Sequence, residues 1–281
     1  KKAIIAYIIL SKFNIGLRPG TDFFFDIPRH IDDAVAKAWE QVERPEGPLP
    51  SLVMYCAEEM VICAMYDPAS RFVAGLQVAL PLNEFTNNVY DWDVQGFVSW
   101  TPATTDGSEP IEYKTKSMFF ISEETLLKSP EERILQAKAD EVLTEGAVWV
   151  QSFNKELMRI STSADEIESN SDFTKQACIP WMGRHYYYKM SEELTCSADT
   201  MLSWFPLVHS GKLVAMGFIA IGVLPEKDGQ RFWFERPPRL AVQAIVPRGP
   251  DCLYELADNP TLTTMHIYFI DEPWFLGCLL N

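Results

Sequence analysis

Lys212-Leu213-Val214-Ala215-Met216-Gly217-Phe218-Ile219-Ala220-Ile221-Gly222-Val223-Leu224 is the stretch on which the fold turns. It is an almost unbroken apolar run, opened by the turn signal Ser210-Gly211 and followed by Pro225. A half-buried strand alternates apolar and polar residues, so an unbroken run predicts a strand covered on both faces. Similar runs, rich in branched and aromatic residues, predict strands at Leu52–Tyr66, Arg71–Pro81, Phe97–Trp100, Tyr113–Ile121, Val148–Phe153, His185–Lys189, Leu240–Val246 and Met265–Ile270. Turn signals such as Asp67-Pro68, Asp106-Gly107 and Asp228-Gly229 separate them.

The same run has an echo earlier in the chain. Arg71-Phe72-Val73-Ala74-Gly75 resembles Lys212-Leu213-Val214-Ala215-Met216-Gly217, and Leu80-Pro81 matches Leu224-Pro225. Ser11-Lys12-Phe13-Asn14 resembles Gln151-Ser152-Phe153-Asn154, and Met118-Phe119-Phe120-Ile121 resembles Ile267-Tyr268-Phe269-Ile270. The separation grows in order along the chain, as a duplicated unit with small insertions requires. The fold class expected is α+β, predominantly antiparallel β, in two related halves. Residues 1–128 form a first β-rich half with one helix, 129–147 a connecting helix, and 148–281 a second β-rich half.

Two helices are expected. Ile31, Val35, Trp39 and Val42 recur at helical spacing over Ile31–Glu43, with Asp32 and Asp33 in the first turn, before the stop at Arg44-Pro45. Ser129-Pro130-Glu131-Glu132 has the form of a capping box opening a helix over Pro130–Glu145, closed by Gly146.

Composition narrows the function classes. Of 281 residues, 47% are hydrophobic, so the chain offers ample apolar surface for a core and is not a disordered one. Twenty-four basic against 39 acidic residues give a net charge of −15, which disfavours nucleic acid, since phosphate binding takes a basic face. No apolar stretch is long enough for a transmembrane helix. Lys1-Lys2 before Ala3–Leu10 has the outline of a signal peptide without a small-x-small site, so a buried strand is expected there. Six cysteines carry no CxxC spacing and no zinc reading. Proximity in sequence suggests bridges Cys178–Cys196 and Cys252–Cys278; Cys56 and Cys63 pair only if a hairpin turn at Ala57–Glu59 brings them together. Bridges imply an extracellular, secreted address. The aromatic strands, Gly/Pro turns and cysteines resemble animal extracellular β-rich proteins in general style, which transfers no residue roles.

No GxSxG, HExxH, GxxxxGK[ST] or strand-following GxGxxG motif is present. No two of the four histidines sit at a metal-ligand spacing, and neither metal nor cofactor is expected. The ligand-binding candidates are His185 and Tyr187, which share one face of a strand, and His266 and Tyr268, which share another with Thr264. Each also has a plain reading as a satisfied core residue. Arg231-Phe232-Trp233-Phe234-Glu235-Arg236-Pro237-Pro238-Arg239 combines three arginines with three aromatics, either to grip a base or an anionic ring or as guanidinium–aromatic packing. Asp165, Glu166, Glu168 and Asp172 lack calcium-loop spacing and read as a solvated surface. The reading favoured is a secreted acidic protein holding a neutral or cationic hydrophobic small molecule in an aromatic cavity of a few hundred Å³. Its alternatives are an extracellular enzyme of hydrolase or cofactor-free oxygenase type with His/Tyr acid–base groups, and a structural or storage protein; a homo-oligomer is compatible with all three.

Overall fold

A computed structural model describes residues 6–9, 24–104, 109–138, 141–227 and 231–278. In chain order its strands are β1 (Ala6–Ile9), β2 (Phe24–Ile27), β3 (Glu40–Val42), β4 (Val53–Cys56), β5 (Ile62–Tyr66), β6 (Val73–Pro81), β7 (Val98–Trp100), β8 (Tyr113–Phe119), β9 (Ala147–Gln151), β10 (Leu157–Ser161), β11 (Phe173–Ile179), β12 (Gly183–Tyr188), β13 (Trp204–His209), β14 (Lys212–Ile221) and β15 (Leu262–Tyr268). The helices are short: α1 (Ile31–Ala36), α2 (Glu123–Leu126), α3 (Pro130–Gln136), α4 (Ala164–Asn170), α5 (Arg239–Ile245) and α6 (Asp251–Asp258). Antiparallel β structure predominates, as expected.

The strands form two sheets. One runs β10-β9-β8-β6-β5-β4-β3, with β7 also on β8; the other runs β11-β12-β13-β14-β15-β1-β2. Every pairing is antiparallel, and short turns connect five of the neighbouring pairs. The sheets face each other across one core, where Leu76, Val78 and Met118 of the first meet Met216, Phe218 and Ile267 of the second. The far face of the second sheet lies under α5 and α6, with Phe205, Ile219 and Ile221 against Val242, Ile245 and Leu253. The first sheet has its own outer cluster around Met65, Trp100 and Phe119. Burial on both faces explains the apolar run of β14, of which only Lys212 is exposed.

Strand order and chain order do not coincide. The β1–β2 hairpin extends the sheet of β11–β15 through β15, with Ile8 opposite Ile267, while β9–β10 extends the sheet of β3–β8, with Met118 opposite Val150. Each sheet therefore takes strands from both sides of residue 129. β6 and β14 hold the fourth place from β3 and from β11 respectively, each followed by β8 or β15 and then by a hairpin. Ser11–Asn14, Asp106-Gly107 and Asp228-Gly229 lie outside the described residues, as do residues 3–5 and 10 of Ala3–Leu10; the other four form β1.

Several expectations are corrected. The helix over Ile31–Glu43 ends at Ala36, because Ala38 takes a φ of 57° and Trp39 N–H bonds back to the Ala34 carbonyl, after which the chain runs as β3. Val35, one of the four residues at helical spacing, is exposed. The capping box of Ser129 and Glu132 is present, but α3 stops at Gln136 rather than Glu145; it buries no residue, so no packing prolongs it. Leu52–Tyr66 is a hairpin, β4 and β5, not one strand, and Leu240–Val246 is helical.

The disulfides are Cys56–Cys63, Cys178–Cys278 and Cys196–Cys252. The hairpin at Cys56 and Cys63 sets the two directly opposite each other. The other four cysteines exchange the partners expected from proximity. Chain separation is a poor guide there, because β11 begins the second sheet and the C-terminal segment returns beside its end: Trp181 N–H bonds to the Leu276 carbonyl.

Candidate functional site

The site lies on the face of the second sheet beneath α5 and α6. The register aligns Phe205, Gly217 and His266 in one row across β13, β14 and β15. Gly217 leaves the middle of that row empty: a Cβ there would fall 2.0 Å from the Phe205 ring. The ring folds over the gap to within 5.6 Å of the His266 ring, and His185 on β12 comes to 5.9 Å from both Phe205 and His266. Tyr187 stacks on Phe205 at 4.7 Å. Side chains of outer and inner strands thus converge because the residue between them has none.

Glu235 completes the group. Reciprocal backbone hydrogen bonds tie it to Thr264, at 2.7 and 2.9 Å, beside β15. Its Oε2 lies 3.3 Å from His266 Nδ1, and both side chains are 4% exposed. His185 Nδ1 and Nε2 and His266 Nε2 have no hydrogen-bond partner. Burial, with His266 beside it, pushes the His185 pKa down to about 3; the nearby Ala177 and Gly183 carbonyls act the other way without reaching hydrogen-bond geometry. His185 is therefore neutral at neutral pH. Burial and the Glu235 charge push the Tyr268 hydroxyl well above its ordinary value.

These groups surround a cavity of about 20 Å³, otherwise walled by apolar side chains including Ile219, Val242, Ile245 and Leu253. That volume holds roughly one water molecule, not the ligand of a few hundred Å³ expected from the sequence. The reason is α5: read as a strand, it is a helix whose Val242 and Ile245 fill the space over the imidazoles. Of the four candidates, His185, Tyr187 and His266 line the cavity together. Tyr268 lies alongside, with its hydroxyl donating to the Trp181 carbonyl at 3.2 Å. Sequence reasoning missed Glu235 and Phe205 as site residues. Only Gly217, a glycine inside the apolar run, hinted at a close approach.

The arrangement offers one carboxylate–imidazole pair and one neutral imidazole in a largely apolar surround. No serine or cysteine lines it, and no free thiol exists because all six cysteines are bridged. Among the described residues no group of three or more His, Cys, Asp or Glu could hold a metal ion.

The remaining sequence candidates pack structurally. Arg231 lies over Phe25 and Trp233, and Arg236 over Phe232. Glu166, Glu168 and Asp172 pair on the surface with Arg159, Lys175 and Lys189. A second buried charge lies between the sheets. Lys116 Nζ donates to the carbonyls of Gln95, Gln151 and Ser152, and burial pulls its pKa down to about 7.

No family model, curated protein or solved structure matches the chain.

Proposed function

We propose that this is a secreted binding protein that takes a small neutral molecule at the His185/His266 pocket. The three disulfides and the lack, among the described residues, of any helix long and apolar enough to cross a membrane are consistent with an extracellular address. The observation that carries the reading is the set of imidazole nitrogens buried without a partner. Each such atom costs about 1–3 kcal/mol unless something outside the chain satisfies it. Apolar walls with a few convergent polar groups are the usual make-up of a ligand pocket. With α5 and α6 in place the cavity has room for about one water molecule; a larger guest requires the helix pair to lift.

The test is titration of the disulfide-intact protein with phenol and with 2-phenylethanol, following imidazole ¹⁵N shifts. Saturable shifts of both histidines are expected, lost in His185→Leu and His266→Leu variants that still melt cooperatively. Shifts that never saturate, or that persist in both variants, overturn the reading. The Glu235–His266 pair favours one alternative, an enzyme of hydrolase or cofactor-free oxygenase type using His/Tyr acid–base chemistry. There Glu235→Gln abolishes turnover while leaving affinity nearly unchanged.

We further infer that the chain is a duplication, with repeats within residues 1–128 and 148–281, in which each repeat lends its first hairpin to the other's sheet. The matching strand orders and the ordered sequence echoes support it. Fragments 1–143 and 144–281 are then each expected to be insoluble alone and to co-purify as a tight complex when expressed together. Either fragment folding by itself as a soluble monomer contradicts the exchange.

A further inference from the structure

The helix pair that covers the histidine pocket is bound firmly to itself. Tyr254 Oη donates to the Val246 carbonyl at 2.6 Å and accepts from the Gly249 N–H at 3.1 Å, which pins α6 to the turn after α5. At the other end Arg239 pairs with Asp258 at 2.9 Å, joining the first residue of α5 to the last of α6. To the sheet the same hairpin is held differently. Val242, Ile245, Val246 and Leu253 close the cavity with Phe205, Ile219 and Leu262 by apolar contact. Among the described residues, no hydrogen bond or ion pair joins 239–258 to the strands beneath. Apolar contact is non-directional, so two such surfaces part without leaving a broken hydrogen bond behind.

The attachments of the hairpin lie on opposite sides of the pocket. Its entry, Pro237-Pro238, follows Glu235, which is bridged to Thr264 on β15. Its exit runs through Asn259-Pro260 straight into β15 at Leu262. Both chain ends therefore leave from one strand. The remaining covalent tie is Cys196–Cys252, which fixes the first turn of α6 to the connection between β12 and β13. In the sheet β12 is separated from β15 by β13 and β14, and the pocket spans all four, from His185 and Tyr187 to Thr264 and His266. The hairpin is thus hung along one side of the cavity and fastened at the other.

We propose that α5 and α6 form a lid over the His185/His266 pocket, hinged at β15 and clasped by Cys196–Cys252, so that this bond sets how readily the pocket opens. The lid rests on the binding role given above for its purpose, but its opening is measured without a guest. Diethyl pyrocarbonate, which acylates accessible neutral imidazole, reads it in the full chain at neutral pH, each histidine being followed by peptide mass spectrometry. His30 and His209, half-buried and outside the pocket, are the internal references. In the parent, His185 and His266 are expected to react far more slowly than either reference. In Cys196→Ser/Cys252→Ser both should react about tenfold faster, with His30 and His209 unchanged, because only local opening becomes easier. Cys178→Ser/Cys278→Ser removes a longer loop but leaves the clasp, and should keep His185 and His266 near the parent rate. Equal acceleration in the two variants means that the imidazoles are reached by general unfolding. Unchanged rates in the first mean that the bond restrains nothing over the pocket. Either result overturns the proposal, whereas a guest that fails to bind while the rates behave as expected overturns only the binding role. If Cys196→Ser/Cys252→Ser does not melt cooperatively, hydrogen exchange of the parent decides: amides of 239–258 should open together and below the protection of β13 to β15, and protection equal to those strands refutes the lid.

Discussion

Replacing Cys178 and Cys278 together by serine is expected to lower the unfolding free energy by roughly 4–5 kcal/mol. The bond joins residues 100 apart, so in the unfolded chain it closes a large loop, and the entropy it removes grows with the logarithm of that length. The loop encloses β12 to β15, α5 and α6, which together make the histidine pocket. Cys196–Cys252 is nested within it at a separation of 56, and its loss alone should cost roughly 4 kcal/mol. Cys56–Cys63, at a separation of 7, should contribute roughly 2 kcal/mol, because the hairpin register already holds its ends together. Urea unfolding of the three double-serine variants, followed by tryptophan fluorescence, measures this order. Equal midpoints for all three would remove loop closure as the source of the stabilisation. A loss of several kcal/mol is a large part of the 5–15 kcal/mol that a typical domain has. Bridges that close such long loops are consistent with an oxidising compartment.

What could be read from the sequence depended on whether the signal was local. The runs of β6, β9 and β14 were legible because strands covered on both faces carry few polar residues, Gln77 and Gln151 among them. The same logic misread Leu240–Val246. Its buried residues, Ala241, Val242 and Ile245, follow helical spacing, but over seven residues a short buried helix and a strand look alike. In Ile31–Glu43 the spacing was helical throughout, yet a single positive φ at Ala38, unmarked by glycine, turned the chain into β3. Non-local facts were out of reach. The disulfide partners follow from where the C-terminal segment returns. The convergence of His185 and His266 follows from the row Phe205–Gly217–His266, which exists only once three strands are in register. Glu235 joined the site through one backbone bridge to Thr264, which no residue pattern announces.

Stability should fall as the pH drops from about 6.5 toward 3, ahead of ordinary acid denaturation, and His185 should be the cause. In the unfolded chain its imidazole titrates near its ordinary value of 6.5; in the folded protein burial holds that pKa at about 3. Between those values the unfolded state binds a proton that the folded state does not, so protons favour unfolding. The contribution is fully present above pH 6.5 and is lost at about 1.4 kcal/mol per pH unit below it, on the order of 4 kcal/mol in all. The upper part of that window isolates the effect. Lys116, drawn down to about 7, is largely protonated in both states below pH 6 and adds little slope there. The carboxylates held low by surface partners, among them Glu168 and Glu112, act only below about 4.5. The groups facing His185 are His266, Phe205 and Tyr187, with Glu235 beyond His266, and no carboxylate contacts its ring to stabilise a proton. His185→Phe keeps a flat ring between Tyr187 and Phe205 while removing the proton acceptor. Thermal melts of the two proteins at pH 4.5, 5.5, 6.5 and 7.5 should diverge steadily toward acid, with the variant nearly flat and the parent falling. Parallel curves would mean that His185 is satisfied in the folded state, and the pocket would lose the unpartnered nitrogens on which its binding role depends.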